Sequence, residues 1–385
     1  MIARQKSLDR PLFAALLLML GFGIVLVYSS SFALSQHRYG GPDFYLARQS
    51  IRALLAIACF MICINVDYHQ WGRVSGIAYL AAVALLASLL FLPAHHAVNG
   101  ARRWLTLGPV QFQVSDFARL ALILFLARKC EEAKTDLQQP RVFIKLLAIT
   151  GLICGLVLAE PNFSTAAIIG SIALAILFIS GARFWHLCAL VLSVIPVAAL
   201  LVLRTPYRRA RISGYLNFSN HQNDIAYQTY QSLVGLGNGG LFGVGLGKGE
   251  QKFFYLPEPH TDFIVSILGE EIGFIGLLAV LAVFAFIVCR GMRIALNAPD
   301  RMGRVMAFGF TAAVALYAVI NASVASGLIP TTGVPMPFLS YGGMSLIFTM
   351  CSMGIVLNIS SRSSDRMVFT EGNPASAVHR RGKGR

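Results

Sequence analysis

The residues of this chain best suited to proton chemistry lie in one stretch, Tyr255 to Glu271, which reads YLPEPHTDFIVSILGEE. Asp262 stands there at the head of a long apolar run, just after Pro257 and Pro259. A carboxylate so placed has two uses. It can accept hydrogen bonds from the free N–H groups of a helix's first turn, as Thr261 also can, or it can serve as a general base at a membrane surface. Proline directs the residue before it to extended geometry, so a helix is predicted to begin at Thr261–Asp262 and not earlier. Partial burial would raise the pKa of Asp262, whereas a helix N-terminus and nearby cations would lower it, so cap and base both stay open at this point.

A second set of residues suits anions. Arg102, Arg103, Arg204, Arg208, Arg209, Arg211, Lys248 and Lys252 fall between apolar runs, on the same side as Asp262 in the topology below. Guanidinium groups meet phosphate oxygens in a two-pronged geometry, so a lipid carrying phosphate or pyrophosphate is one ligand for them. Anchoring to headgroups by snorkelling side chains is the other. Inside apolar runs, ionisable groups are costly and mark either a site or an ion pair that holds helices together. Asp116 and Arg119 are three apart on one helix face, and Glu270 lies about 12 Å beyond Asp262 at 1.5 Å per helical residue. Glu270 or Asp116 is expected to pair with Arg119 behind the site.

Other chemistries are excluded by detail. The run GLGNGGLFGVGLGKG (Gly235 to Gly249) is not a P-loop, because Phe242 stands where the first glycine belongs and Gly249 where Ser or Thr belongs. It is expected to be a sharply turning loop that lets backbones approach closely. There is no Gly-x-Ser-x-Gly elbow and no DxD pair. The seven cysteines sit in or beside apolar runs without paired spacing, as packing residues.

Positioning these groups falls to apolar helices. With 56% hydrophobic and 13% charged residues in 385, the chain reads as an all-α integral membrane protein. Ten spans are predicted, at about 11–34, 49–66, 73–92, 115–130, 143–160, 163–181, 184–203, 262–289, 304–327 and 340–361. Residues 1–361 are taken as one membrane domain, and 362–385 as a disordered basic tail near anionic lipid. The formal charge of +15 gathers between spans without aromatic interleaving, which suits membrane orientation and not nucleic acid. The positive-inside rule puts both termini in the cytoplasm, leaving segments 37–47, 93–114 and the long loop 204–261, between helices 7 and 8, outside. Within that loop, Ile225, Tyr227, Tyr230, Leu233 and Val234 alternate with polar residues as in an interfacial amphipathic helix. No internal repeat is visible, which disfavours a transporter built from repeats.

Four segments resemble the SEDS family of membrane glycosyltransferases, which includes FtsW and RodA. They are NGARRWLTLG with QVSDFARL (Asn99 to Leu120), YQTYQSLVGLGNGG with GLGKGEQKFFYLPEPHTDFI (Tyr227 to Ile264), GEEIG (Gly269 to Gly273) and GLIPTTGVPMPFLSYGG (Gly327 to Gly343). The spelling of the long loop is closer to FtsW, the septal branch, than to RodA, the elongation branch. Some positions depart from the family pattern. QVSD stands for QPSE, Arg119 for Lys, and EPNFSTA (Glu160 to Ala166) for QPDFGTA, so that Asn162 lacks a carboxylate.

The resemblance implies a ten-helix fold and polymerisation of lipid II into a growing glycan strand, with Asp262 the essential carboxylate. It also implies that Arg102, Arg103, Arg208, Arg209, Arg211, Lys252, Glu258 and His260 contact the substrate. The departing pyrophosphate would be stabilised by arginines, alone or with a divalent cation (Mg2+ or Mn2+). A class B penicillin-binding transpeptidase and other divisome proteins are the implied partners, in the plasma membrane at the septum. The rival readings are a RodA-like elongation polymerase and a lipid II flippase, the latter expected to show broken, symmetric helices.

Overall fold

The computed structural model describes residues 8–91, 103–107, 110–133, 136–205, 209–210, 213, 215 and 224–371. Its long helices are α1 (Arg10–Tyr39), α2 (Phe44–Asn65), α3 (Tyr68–Leu90), α4 (Val114–Ala133), α5 (Pro140–Ala159), α6 (Phe163–Ile179), α7 (Phe184–Arg204), α8 (Asp224–Gly239), α9 (Ile264–Leu296), α10 (Arg301–Ala325) and α11 (Ser345–Glu371). Ten of these fall on the ten predicted spans, and α8 is the amphipathic helix expected in the long loop. Seven are long and apolar enough to cross a membrane on that count alone, namely α1, α2, α3, α5, α9, α10 and α11. Helices α6 and α7 contribute shorter apolar stretches, and α4 carries the buried Asp116 and Arg119 charges. The chain is a multi-pass membrane protein.

Where spans begin and end follows from local chemistry. Asp9 accepts a hydrogen bond from Leu12 N at 3.0 Å and Pro11 enters the first turn of α1, while Gly40 closes it in left-handed geometry at φ 71°. Asp300 caps α10 through Gly303 N at 2.6 Å. The bundle packs α11 along α2, α4 along α3 and α10 along both α9 and α4. Tyr68, Phe60 and Phe310 are among its most completely buried side chains.

Three expectations change. The segment before α4 is a hairpin, with β1 (Trp104–Leu107) antiparallel to β2 (Val110–Gln113) and Trp104 opposite Gln113. Its residues WLTL and VQFQ are strand formers that alternate in polarity, on either side of Gly108 and Pro109 in sequence. Helix α11 runs to Glu371, beyond the boundary assigned at 361, because no glycine or proline interrupts Ile355 to Glu371. Residues 372–385 of the tail lie outside the described residues.

The third change is that α9 is broken. Gly273 has φ 72° and ψ −175°, which no helix accommodates. The backbone groups around the break are taken up by the glycine-rich loop. Val244 N donates to Glu270 O at 3.0 Å and Gly245 N to Glu271 O at 2.9 Å. In the other direction, Phe274 N donates to Gly240 O at 2.9 Å and Ile275 N to Leu241 O at 3.1 Å. The contact requires glycine, since a Cβ on Gly243 or Gly273 would meet backbone of the opposing segment. The predicted close-approach loop is thus real, but it starts later, because Gly235 to Gly239 complete α8.

Candidate active site

Asp262 is not the cap of α9. The cap position is Phe263, with no side-chain cap hydrogen bond, and Thr261 Oγ1 donates instead to Glu258 O at 3.1 Å. The capping use of both residues is therefore corrected: the helix starts two residues later than the apolar run suggests. What fixes Asp262 is its backbone. Three successive carbonyls accept hydrogen bonds from behind: His260 O from Tyr341 N at 2.8 Å, Thr261 O from Ser340 Oγ at 2.6 Å, and Asp262 O from Asn321 Nδ2 at 2.9 Å. Asn321 is buried in α10, and its amide also donates to Val334 O at 2.7 Å. Ser340 Oγ in turn accepts from Met336 N at 2.8 Å. Helix α10 and the 334–341 segment thus form a clamp, and the Asp262 side chain stays partly exposed. Gly333 is beside it, since a Cβ there would sit 3.5 Å from Asp262 Oδ2.

His260, two residues before Asp262, is buried between the rings of Tyr45 at 4.8 Å and Tyr341 at 5.4 Å. Burial, helped by the nearby Arg38 charge, pushes its pKa down to about 4, so the imidazole is neutral at physiological pH. Its Nε2 is 3.7 Å from the exposed Glu258 carboxylate, whose backbone holds the unusual φ of 49°.

The other charged candidates separate into distinct groups. Lys252 is buried and its Nζ lies 2.7 Å from Glu271 Oε1, while the Ser29 hydroxyl contacts both Glu271 oxygens at 2.6 and 2.7 Å. This corrects its assignment as a substrate contact, because the ammonium is spent tying the loop to α1 and α9. Glu270 does not join Arg119; its carboxylate accepts from Glu250 N at 2.9 Å and Gln251 N at 3.2 Å, again holding the loop. Asp116 and Arg119 do pair, at 3.5 Å, with both side chains buried and the guanidinium 4.3 Å from the Tyr317 ring. They brace α4 against α10.

Arg103 reaches the turn between α5 and α6, donating through Nη2 to Pro161 O at 2.5 Å and through Nε to Glu160 O at 3.4 Å. Glu160 is buried, its carboxylate oxygens have no hydrogen-bond partner among the described residues, and burial raises its pKa to about 8 against the pull of Arg103. The hairpin that starts beside Arg103 rests at its other side on Gly343, which is close to Gln111 O and Trp104. Arg103 and Asp262 are therefore joined through the hairpin and the 340–343 segment at one end of the bundle. Arg209 is exposed; Arg102, Arg208 and Arg211 lie outside the described residues. Asn321, Ser340 and the Glu160 environment were not singled out from sequence, although EPNFSTA and FLSYGG had marked two of the segments.

The arrangement provides one partly exposed carboxylate on a rigid backbone, a neutral imidazole, aromatic faces and a basic hairpin at the same end. That set can take a proton from a hydroxyl and accommodate an anion. Among the described residues there is no group of three or more His, Cys, Asp or Glu side chains placed to hold a metal ion.

A family model described as a cell cycle protein, covering FtsW, RodA and SpoVE, matches residues 10–365. A "probable peptidoglycan glycosyltransferase FtsW" of Geobacter sp. (strain M18) is 37% identical over 361 residues, 93% of this chain and 98% of the relative. The stage V sporulation protein E of Bacillus subtilis (strain 168) is 37% identical over 364 residues, 94% of this chain and all of the relative. Among solved structures, one chain from work on "structural coordination of polymerization and crosslinking by a peptidoglycan synthase complex" superposes with a TM-score of 0.77 at 26% identity, covering 93% of this chain and 98% of that one. The rod shape determining protein RodA of Thermus thermophilus gives 0.69 at 27% identity over 93% and 98%. Family model, relatives and solved structures agree, and the chain belongs to the SEDS family of FtsW, RodA and SpoVE proteins.

Proposed function

We propose that this protein is a peptidoglycan glycosyltransferase that polymerises lipid II into glycan strands, with Asp262 as general base. The observation that carries the reading is the clamp on residues 260–262, which holds one carboxylate at the end of the membrane bundle that also carries Arg103. The acceptor sugar's 4-hydroxyl gives its proton to Asp262 as the oxygen attacks the donor's anomeric carbon. The α-linked undecaprenyl pyrophosphate leaves with the bonding electron pair and a β linkage forms, an inverting displacement. Positive charge set where negative charge develops lowers the barrier most, and Arg103 with Arg102, Arg208, Arg209 and Arg211 supplies it. A Mg2+ or Mn2+ ion carried on the diphosphate would add to that charge, with Glu258 the nearest exposed carboxylate in sequence.

The relatives named FtsW support a role in cell division, in the plasma membrane at the septum, and the spread of Lys and Arg between the spans supports cytoplasmic termini with an extracytoplasmic site. The related chain within a peptidoglycan synthase complex supports a transpeptidase partner of the class B penicillin-binding type, alongside other divisome proteins. A flippase reading would draw on the break at Gly273, but the backbone groups flanking that break are bonded to the loop and Lys252 is neutralised by Glu271.

Purified protein supplied with lipid II and read for glycan product on a gel tests the proposal. Asp262→Asn and Asp262→Ala are expected to fold normally and to make no glycan. Substantial polymer from a folded Asp262→Ala protein refutes the role of Asp262.

A further inference from the structure

The face of α2 that meets His260 carries a cluster of polar groups for which the proton transfer has no use. Tyr45, Gln49 and Arg52 recur at one and two helical turns and therefore share a face. Tyr45 packs on both His260 and Tyr341, the latter at 5.1 Å, and the Arg52 guanidinium lies 4.6 Å over the Tyr341 ring. Gln49, between them, is 1% exposed, and neither its amide oxygen nor its nitrogen has a hydrogen-bond partner among the described residues. The same is true of Arg52 Nη1 and His260 Nδ1. Folded proteins rarely leave buried polar atoms unpaired, and here four of them belong to this face of α2 and to His260, two residues before Asp262.

We propose that this face of α2, with His260 and Tyr341, is a saccharide subsite that holds the acceptor ring whose hydroxyl Asp262 deprotonates. The inference rests on the glycosyl-transfer reading and adds to it where the acceptor sits. The chemistry of the unpaired atoms selects the ligand. A primary amide offers a donor and an acceptor together, the imidazole is neutral, and only Arg52 is charged. Hydroxyls and an N-acetyl amide satisfy such a set, whereas a diphosphate, which only accepts, would leave Gln49 Oε1 unpaired. The Tyr45 and Tyr341 rings supply apolar faces for a pyranose. Reach is consistent, because His260 and Asp262 are two residues apart in one turn and their backbones can be separated by no more than about 7 Å, so one saccharide can touch His260 and present a hydroxyl to Asp262. In this state Arg52 covers Tyr341, and entry of the sugar displaces the guanidinium from the ring.

The test uses the full-length protein in detergent and two soluble probes at millimolar concentration: the β-1,4-linked tetramer of N-acetylglucosamine, and inorganic pyrophosphate. The tetramer should raise the melting temperature of the wild-type and of the Asp262→Ala protein, and pyrophosphate should not reproduce the effect of the tetramer. Gln49→Met conserves volume and deletes the unpaired amide. It is expected to melt no lower than wild type, to lose the response to the tetramer, and to raise KM for lipid-linked acceptor about tenfold with a smaller change in kcat. Absence of a tetramer response in the wild-type protein overturns the proposal, as does an undiminished response in Gln49→Met, or a response to pyrophosphate that the tetramer does not match. If Gln49→Met fails to fold, the wild-type responses to the two probes decide. Retention of the tetramer response by Asp262→Ala keeps this result separate from any failure of the polymerase assignment.

Discussion

Replacing Lys252 by methionine removes an ammonium that sits 2.7 Å from Glu271 Oε1 while leaving a side chain of similar length in the buried space. Glu271 then remains buried with the single proton of Ser29 to share between two oxygens. Breaking a buried pair from one side costs about 3–5 kcal/mol, because the partner charge is stranded. At 1.4 kcal/mol per tenfold, that is roughly two to three and a half powers of ten in the folding equilibrium. The double variant Lys252→Met with Glu271→Gln strands nothing, keeps the bond to Ser29, and should recover most of the loss. Thermal or denaturant unfolding of the purified single and double variants measures this, and glycan synthesis compared at equal folded concentration accompanies it. The scaffold role requires that stability fall in the single variant and return in the double one, while synthesis per folded molecule stays close to that of wild type. A Lys252→Met protein as stable as wild type yet inactive, with no rescue by Glu271→Gln, would show that the ammonium serves the substrate and that the reasoning is wrong.

Asn321→Ala removes the donor shared by Asp262 O and Val334 O, and is expected to lower kcat at least tenfold with little change in KM, since the base loses its placement and not its charge. Steady-state kinetics on lipid II checks it, and unchanged kcat would remove the clamp from the mechanism. Glu160 provides a pH test. Its folded pKa of about 8 is above the ordinary 4.5, so the folded state holds the extra proton. Stability should be highest below pH 4.5, decline as the pH rises to about 8, and level off there. At 1.36 kcal/mol per pH unit the full decline is roughly 5 kcal/mol, and Glu160→Gln should abolish it. Unfolding midpoints followed from pH 5 to 9 would contradict this if both proteins gave the same slope.

The spans were legible because a bilayer accepts few solutions: about 20 apolar residues, charges at the ends and an excess of Lys and Arg on one side. The amphipathic α8 was legible for the same reason, as its apolar positions follow the helical period. Less of the outer end could be read. The hairpin at 104–113 is too short for its alternation to stand out within a loop. The break in α9 is invisible because Gly269 and Gly273 in GEEIG look like ordinary small residues in a membrane helix. Its cause lies some 30 residues earlier, in the loop that supplies the compensating hydrogen bonds. Asp262 stands out in the sequence as a carboxylate, but its restraint comes from backbone carbonyls and not from helix capping.

Charge illustrates the same division. Types and spacing offered Asp116 as one of two partners for Arg119, because a separation of three on one helix is a local relation, and the structure chose it over Glu270. They were not enough for Lys252, Glu270 or Glu271, whose partners come from other segments. By itself the sequence determined a basic, multi-pass helical membrane protein with an acidic residue opening its eighth span, and the motifs that tie it to its family. Only the tertiary structure decided which charges are spent on scaffold, which carbonyls hold Asp262, and where polar atoms on α2 wait unpaired. The physical reason is that hydropathy and helical period act along the chain, whereas hydrogen bonding and desolvation depend on which segments meet.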